Sequence, residues 1–275
     1  MRDVVARALM EDLGPLGDIT AALLPFDAVA HGALVAREPG VLAGRRCAEE
    51  AFRQLDSSIA LEWFCDDGDD VAPGWRLASI DGPLRPVLTA ERTALNLLCK
   101  LSGTATLTRR LVDAVGDAPT RILDTRKTTP GLRALEKAAV RAGGGANHRA
   151  SLSEMVLIKD NHLAGMTIAD AVAEARRQWP MRTVEVECDH LDQVRQAVDA
   201  GADVVMLDNM DVGEVATCVT EISGRAVVEV SGGVRLDTVG AYASAGADAI
   251  SVGALTTSAP ALDIGLDLDG DSPCS

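Results

Sequence analysis

From about residue 120 onward, short runs rich in Val, Ile and Leu alternate with longer stretches in which apolar residues recur every three or four positions. The first pattern has the period of a strand and the second that of a helix, so this part reads as repeated βα units around a parallel sheet. Strands are predicted over residues 121–124, 155–158, 183–187, 203–207, 226–230 and 248–252. Six such units point to a barrel. Amphipathic helices over 191–200 and 236–245 each run into a Gly-Ala-Asp turn, where Gly201 and Gly246 are expected to close the helix in the left-handed conformation.

The first hundred residues lack this rhythm. They hold short strands bounded by polar turns, such as Asp66-Asp67-Gly68-Asp69-Asp70 and Pro73-Gly74, and open with a helix of surface character, MRDVVARALMEDLG. Two domains are therefore expected, residues 1–115 and 116–275, with the tail returning to the first. A long helix over 89–115 connects them, with Thr89 as its N-cap. Arg92 then falls in the first turn, where a cation opposes the helix dipole by roughly 0.3 to 1 kcal/mol. A nearby anion would account for that placement, and so would an Arg reaching into water.

Composition narrows the function. The 275 residues are 47% hydrophobic and 24% charged, the balance of a folded chain. Lys plus Arg number 26 against 41 Asp plus Glu, and the resulting charge of −15 repels phosphate backbones and anionic lipid. The aromatics, three Phe, three Trp and one Tyr, are too few and scattered for a base-stacking platform. Neither nucleic acid nor membrane is expected as a partner. No run reaches the ~18 apolar residues of a membrane span, and the N-terminus lacks the apolar core of a secretory signal. The cysteines, Cys47, Cys65, Cys99, Cys188, Cys218 and Cys274, form no C-x-x-C pair, and His31, His148, His162 and His190 sit at no metal-ligand spacing. Reduced thiols and a cytoplasmic location follow as expectations.

Against this acidic background one segment is basic. Residues 121–149 carry seven cations (Arg121, Arg126, Lys127, Arg133, Lys137, Arg141, Arg149) and two anions (Asp124, Glu136), a local charge of +5. Such concentration suits a small polyanion. Arg133, Lys137 and Arg141, spaced by four, read as a solvated helix face. Arg126 and Lys127 directly follow a strand, on the rim where barrel enzymes gather catalytic groups. The glycine triplet 143–145 suggests a backbone that must come close to something, with Asn147, His148 and Arg149 delivered just beyond it. Lys159 also follows a strand; a rim lysine serves as a Schiff-base nucleophile or an anion contact, and residue type leaves both open.

Glu187 and Asp208 end strands in the same way, and Glu185, two residues back, faces the same side as Glu187. Carboxylates facing a cationic pocket suit sugar hydroxyls or a Mg²⁺ carried by a polyphosphate; the alternative is plain balancing of the local Arg and Lys charge. Ser231-Gly232-Gly233 follows the penultimate strand and Gly253-Ala254 the last, the usual phosphate seat of barrels, although turn glycines occupy the same places.

Taken in order, DTRKTTPGLRALEKAAVRAGGGANHR, LIKDNH, EVE, LDN, SGG and SVGALT, with EDLGPLGDIT near the start and LDIGLDL near the end, resemble the quinolinate phosphoribosyltransferase family over nearly the whole chain. The resemblance implies an α/β protein with an N-terminal α/β sandwich domain and a C-terminal open α/β barrel of the phosphoribosyltransferase type. It implies a homodimer whose active sites each take Arg92 from the partner subunit. It implies a decarboxylating glycosyltransferase of NAD biosynthesis, turning quinolinate and phosphoribosyl pyrophosphate into nicotinate mononucleotide, pyrophosphate and CO₂. Carried over by motif, Arg92, Arg126, His148, Arg149 and Lys159 would bind quinolinate, and Lys127 would sit toward the phosphates. Lys127, Lys159, Glu187 and Asp208 would form the catalytic set. Glu187 and Asp208 would hold the ribose and Mg²⁺, and Ser231, Gly232, Gly233, Gly253 and Ala254 the 5′-phosphate.

Two departures stand out. Where the family commonly reads ALTHS, Thr257 replaces the His, and Ser151 replaces a Gly. Three other readings carry different expectations. A molybdenum-transport-associated relative shares the fold but not the intact IKDNH. A Schiff-base lyase would use Lys159 and be trapped by borohydride. A non-catalytic binding protein would hold anions without releasing pyrophosphate.

Overall fold

Residues 1–269 are described in this computed structural model. In chain order the elements are α1 (Arg2–Leu13), β1 (Val29–Ala36), β2 (Gly40–Val41), α2 (Arg45–Leu55), β3 (Ala60–Trp63), β4 (Asp70–Val71), β5 (Arg76–Pro83) and α3 (Leu84–Val115). There follow β6 (Arg121–Leu123), α4 (Arg133–Ala142), β7 (Val156–Ile158), α5 (Ile168–Gln178), β8 (Val184–Cys188), α6 (Leu191–Asp199) and β9 (Val204–Asp208). The chain ends through α7 (Val212–Ile222), β10 (Val227–Ser231), α8 (Val239–Ser244), β11 (Ala249–Ser251), α9 (Ala254–Thr257) and β12 (Ile264–Leu268). Two compact units emerge. Among the described residues, one comprises 1–109, 129–144 and 258–269, and the other 110–128 and 145–257.

The first unit is built on an antiparallel sheet of order β12-β1-β5-β3. Its last strand comes from the far end of the chain, with Gly32 opposite Leu268 and Ala36 opposite Ile264. Apolar residues of α1, α2, α3 and the sheet share one core, including Val5, Phe52, Leu34, Ile80, Leu98 and Leu101. Small hydroxyls let α3 lie close to the chain beside it: Ser102 and Thr106, one turn apart, accept the main-chain N–H of Ala43 and Val41. The glycine triplet does come close to something. A side chain at Gly143 would stand 2.3 Å from the Ala105 carbonyl, so the neighbour that demands glycine is α3.

The second unit is an all-parallel sheet of order β6-β11-β10-β9-β8-β7. Every predicted barrel strand is present, within two residues of its expected ends. The first two strands in sequence, β6 and β7, stand at opposite edges, and among the described residues the only closure recorded beside β6 is an isolated bridge from Leu123 to Ala146. The barrel is therefore open. Gly201 and Gly246 take positive φ beyond α6 and α8, as expected. The strand β8 is buried along most of its length, as a parallel strand covered on both faces must be.

Three expectations fail. The connecting helix starts at Leu84, not Thr89, because Pro86 falls in the first turn, where its missing N–H costs nothing. Thr89 is no cap: its hydroxyl lies 2.9 Å from both the Arg85 carbonyl and Asp18, with its one proton between them. Arg92 is thus two turns inside α3, exposed, and the dipole argument lapses. The basic face of α4 is not solvated throughout, since Lys137 is 3% exposed beside the fully buried Glu136. Finally, α8 is shorter than predicted, because a turn in which Arg235 and Thr238 bond each other's main chain precedes it. Cys47, Cys65, Cys99, Cys188 and Cys218 are free thiols, and Cys274 lies outside the described residues. Among the described residues no helix is long and apolar enough to cross a membrane.

Candidate active site

In a parallel sheet all strands end on one side, and the chemistry-bearing residues of the second unit stand there. Arg126 and Lys127 follow β6 and Lys159 follows β7; Glu187 lies near the end of β8, and Asp208, Ser231 and Ser251 end β9, β10 and β11. With His148 and Arg149, they line one cavity of about 400 Å³. A more apolar cavity of about 740 Å³, with Leu152 and Trp179 in its wall, shares Arg126, Arg149 and Lys159 with the first. The three cations thus converge rather than diverge.

Their electrostatics are unbalanced. Burial, and then the charge of Arg126 beside it, pull Arg149 below the ordinary guanidinium range. One Arg149 N–H donates to the Met155 carbonyl at 3.1 Å, while the buried Nε of Arg126 meets no hydrogen-bond partner. Two neighbouring guanidiniums with an unused donor call for an anion between them. Lys159 is already ion-paired with Glu187, which suits an ammonium that meets anions and does not suit a Schiff-base nucleophile. Lys127 is exposed, but its main chain is pinned: its N–H donates to Thr125 Oγ1 and its carbonyl accepts from Thr256 Oγ1 at 2.6 Å.

Beneath the cations lies an acidic floor. His148 Nε2 is 3.1 Å from Glu185 and 3.5 Å from Glu229, and Ser251 donates to Glu229. Burial first, and then the Glu185 charge, push Glu229 up to about 7. Burial opposes charge on His148, but the Glu185 hydrogen bond and the two carboxylates outweigh it and raise its pKa. The other ring nitrogen, Nδ1, accepts the Arg149 amide at 2.8 Å. Both nitrogens of His148 are therefore engaged within the protein.

The glycines predicted as a phosphate seat are placed differently from the charged residues. Gly232, Gly233, Gly253 and Ala254 are not among the residues lining the cavity, whereas Ser231 is. Gly232 has a steric reason of its own: at φ 90°, a side chain there would stand 2.2 Å from Asn209 Oδ1. Asn209 in turn donates to Asp208 and takes a left-handed φ of 58°. Arg92 belongs to the first unit.

Glu187 and Asp208 present hard oxygen donors to the same cavity from adjacent strands, which fits a magnesium ion arriving with a polyphosphate. Sequence reading passes over Asp124, Glu229, Ser251 and Thr256. For Glu229 a signal exists: a carboxylate inside Val228-Glu229-Val230, two residues before Ser231, must face the barrel interior like Ser231. For Asp124 and Thr256, nothing local in the sequence reveals that their partners are Asn147, His148 and Lys127.

Comparison with known proteins identifies the family. Residues 18–102 match the model of the quinolinate phosphoribosyl transferase N-terminal domain, and residues 104–267 that of its C-terminal domain. The nicotinate-nucleotide pyrophosphorylase [carboxylating] of Mycobacterium leprae is 43% identical, covering 97% of this chain and 96% of its own. A probable enzyme of that name from Bacillus subtilis is 39% identical over 98% of this chain and 93% of its own. The structure of the nicotinate-nucleotide pyrophosphorylase from Francisella tularensis superposes with a TM-score of 0.94 at 41% identity, covering 97% of this chain and 95% of that one. With both domains matched and the cationic rim in place, the chain belongs to the quinolinate phosphoribosyl transferase family.

Proposed function

We propose that this chain transfers a phosphoribosyl group from phosphoribosyl pyrophosphate to quinolinate with loss of CO₂, yielding nicotinate mononucleotide and pyrophosphate. The observation that carries the reading is the pair Arg126 and Arg149, crowded together with a buried donor unused, on the cavity that also holds Lys159, Glu187 and Asp208. A pyridine bearing two adjacent carboxylates matches that charge. Nicotinate, with one carboxylate, would leave buried cations unpaired, so the same groups supply discrimination.

In this reading Arg126, Arg149 and Lys159 orient quinolinate with its ring nitrogen toward the anomeric carbon. The nitrogen forms a bond to that carbon as the carbon–oxygen bond to pyrophosphate breaks. Glu187 and Asp208 hold the ribose hydroxyls and a magnesium ion, which supplies charge neutralisation for the diphosphate when bound. Lys127 faces the departing phosphates, and Ser231 on the cavity wall meets the 5′-phosphate, with Gly232, Gly233, Gly253 and Ala254 assigned to it by motif. Alkylated nitrogen makes the ring an electron sink, so the neighbouring carboxylate leaves as CO₂ and its electron pair is taken up by a proton. No covalent enzyme intermediate is required.

A homodimer in which Arg92 reaches the partner subunit's site completes the reading, and a cytoplasmic setting fits the free thiols. Incubation with both substrates and Mg²⁺ should release pyrophosphate and CO₂ in equal amounts. Pyrophosphate release with nicotinate but not with quinolinate, or binding of both substrates without turnover, would overturn it.

A further inference from the structure

His148 is placed to bind substrate by its position on the cavity wall, yet its ring nitrogens face inward, one to Glu185 and Glu229 and one to the Arg149 amide. An amide N–H only donates, so Nδ1 must carry a lone pair, and the ring proton belongs on Nε2, between the two carboxyl groups. We propose that the buried Glu185–Glu229 pair is a positioning element that locks His148 in its Nε2–H tautomer, leaving Nδ1 to accept the Arg149 amide and so fixing where the Arg149 guanidinium stands in the pocket.

Geometry decides against the other reading of this cluster. His148, Glu185 and Glu229 place a nitrogen and two oxygens within 4.8 Å of one another, as metal ligands do. A metal-bound imidazole, however, donates its other N–H to an acceptor, and here the other nitrogen faces a donor 2.8 Å away. Charging the ring, which the two carboxylates favour, would set N–H against N–H and break the Arg149 contact. Both carboxyls are buried where they meet the ring. Glu185 is fully buried, with its Oε1 lacking a hydrogen-bond partner, and Glu229 is fixed by Ser251. They come from β8 and β10, alternate strands whose inward side chains share a layer of a barrel interior. The polar floor is therefore oriented by the sheet itself, and Arg149 inherits that orientation through one imidazole.

This inference rests on the proposed function only for its kinetic arm. Long-range ¹H–¹⁵N spectra of ¹⁵N-labelled protein at mildly alkaline pH read the tautomer directly, with His148→Gln assigning the signal among four histidines. The wild type should show a protonated Nε2 and a bare Nδ1 at His148. In Glu185→Gln, whose amide can turn its NH₂ toward Nε2, the signature should shift toward Nδ1–H. KM for quinolinate should then rise about tenfold, more than kcat falls, with KM for phosphoribosyl pyrophosphate little changed. A wild-type His148 that is an imidazolium or an Nδ1–H tautomer would overturn the proposal, as would a folded Glu185→Gln with unchanged spectra and unchanged quinolinate KM. If the wild type fails to turn over quinolinate, the functional reading falls and the spectra still decide this one.

Discussion

Asp124, fully buried after β6, accepts the main-chain N–H of His148 at 2.9 Å through one oxygen, while its other oxygen takes the side-chain amide of Asn147. A single carboxylate thus ties the strand that leads into Arg126 and Lys127 to the loop that delivers His148 and Arg149. The two guanidiniums sit close together because their chain segments share this anchor. Like-charged groups would otherwise drift apart; burial first, and then the charge of Arg126, lowers the pKa of Arg149.

Replacing Asp124 by Asn keeps the shape but trades one acceptor oxygen for an NH₂ facing a donor. A buried hydrogen bond to a charged group is worth about 2 kcal/mol, so kcat/KM for quinolinate should fall roughly 30-fold. Steady-state kinetics beside a melting curve check this. A variant with wild-type KM for both substrates would show that the anchor does not govern the pocket.

In the proposed function Arg149 pairs with a carboxylate of quinolinate, so Arg149→Ala removes a preorganised cation. Loss of one such donor costs about 3 kcal/mol of transition-state stabilisation, which is a fall in kcat/KM of roughly 150-fold. Arg149→Lys should recover only part of it, because an ammonium lacks the planar fork that pairs with a carboxylate. Turnover that is unaffected in the Ala variant would remove Arg149 from the quinolinate pocket.

Glu229 makes stability depend on pH with a sign that can be worked out. Its carboxyl ionises near 4.5 as a free group and near 7 when folded, so the folded state binds the proton more tightly. The resulting stabilisation is complete below pH 4.5 and is lost as the pH rises through 7, with a span on the order of 3 kcal/mol. Glu229→Gln mimics the protonated form and should not lose it. The melting temperature of the variant relative to wild type should therefore climb between mildly acidic and mildly alkaline pH; a constant difference would mean that Glu229 is not held protonated by its surroundings.

Much of this architecture is legible in the chain because the signals are local. The six barrel strands show as β-branched runs, and Gly201 and Gly246 mark helix ends through their own backbone preference. The charged rim is legible for the same reason, since position directly after a strand is enough to place Arg126, Lys127 and Lys159. What stays hidden depends on distant partners. Glu136 and Lys137 look like solvated helix residues, yet Glu136 is buried because Lys100, and the N–H and hydroxyl of Thr129, satisfy it. Thr89 looks like a cap because Ser and Thr usually are, while the helix begins a turn earlier at a segment that Pro86 permits. The acidic floor under His148 likewise exists only once β8, β10 and β11 are brought into one sheet.

The proposed sharing of Arg92 between subunits can be tested by complementation. Arg92→Ala and Lys159→Ala should each be nearly inactive as homodimers, since each lacks one cation of every site. After denaturation and joint refolding, a heterodimer of the two carries both lesions in one site and none in the other, if Arg92 crosses to the partner. Random pairing makes about half the dimers mixed, with one intact site each, so activity should return to about a quarter of the wild-type value. If Arg92 served its own subunit's site instead, every site in the mixture would keep one lesion, and activity would stay at the level of the single variants.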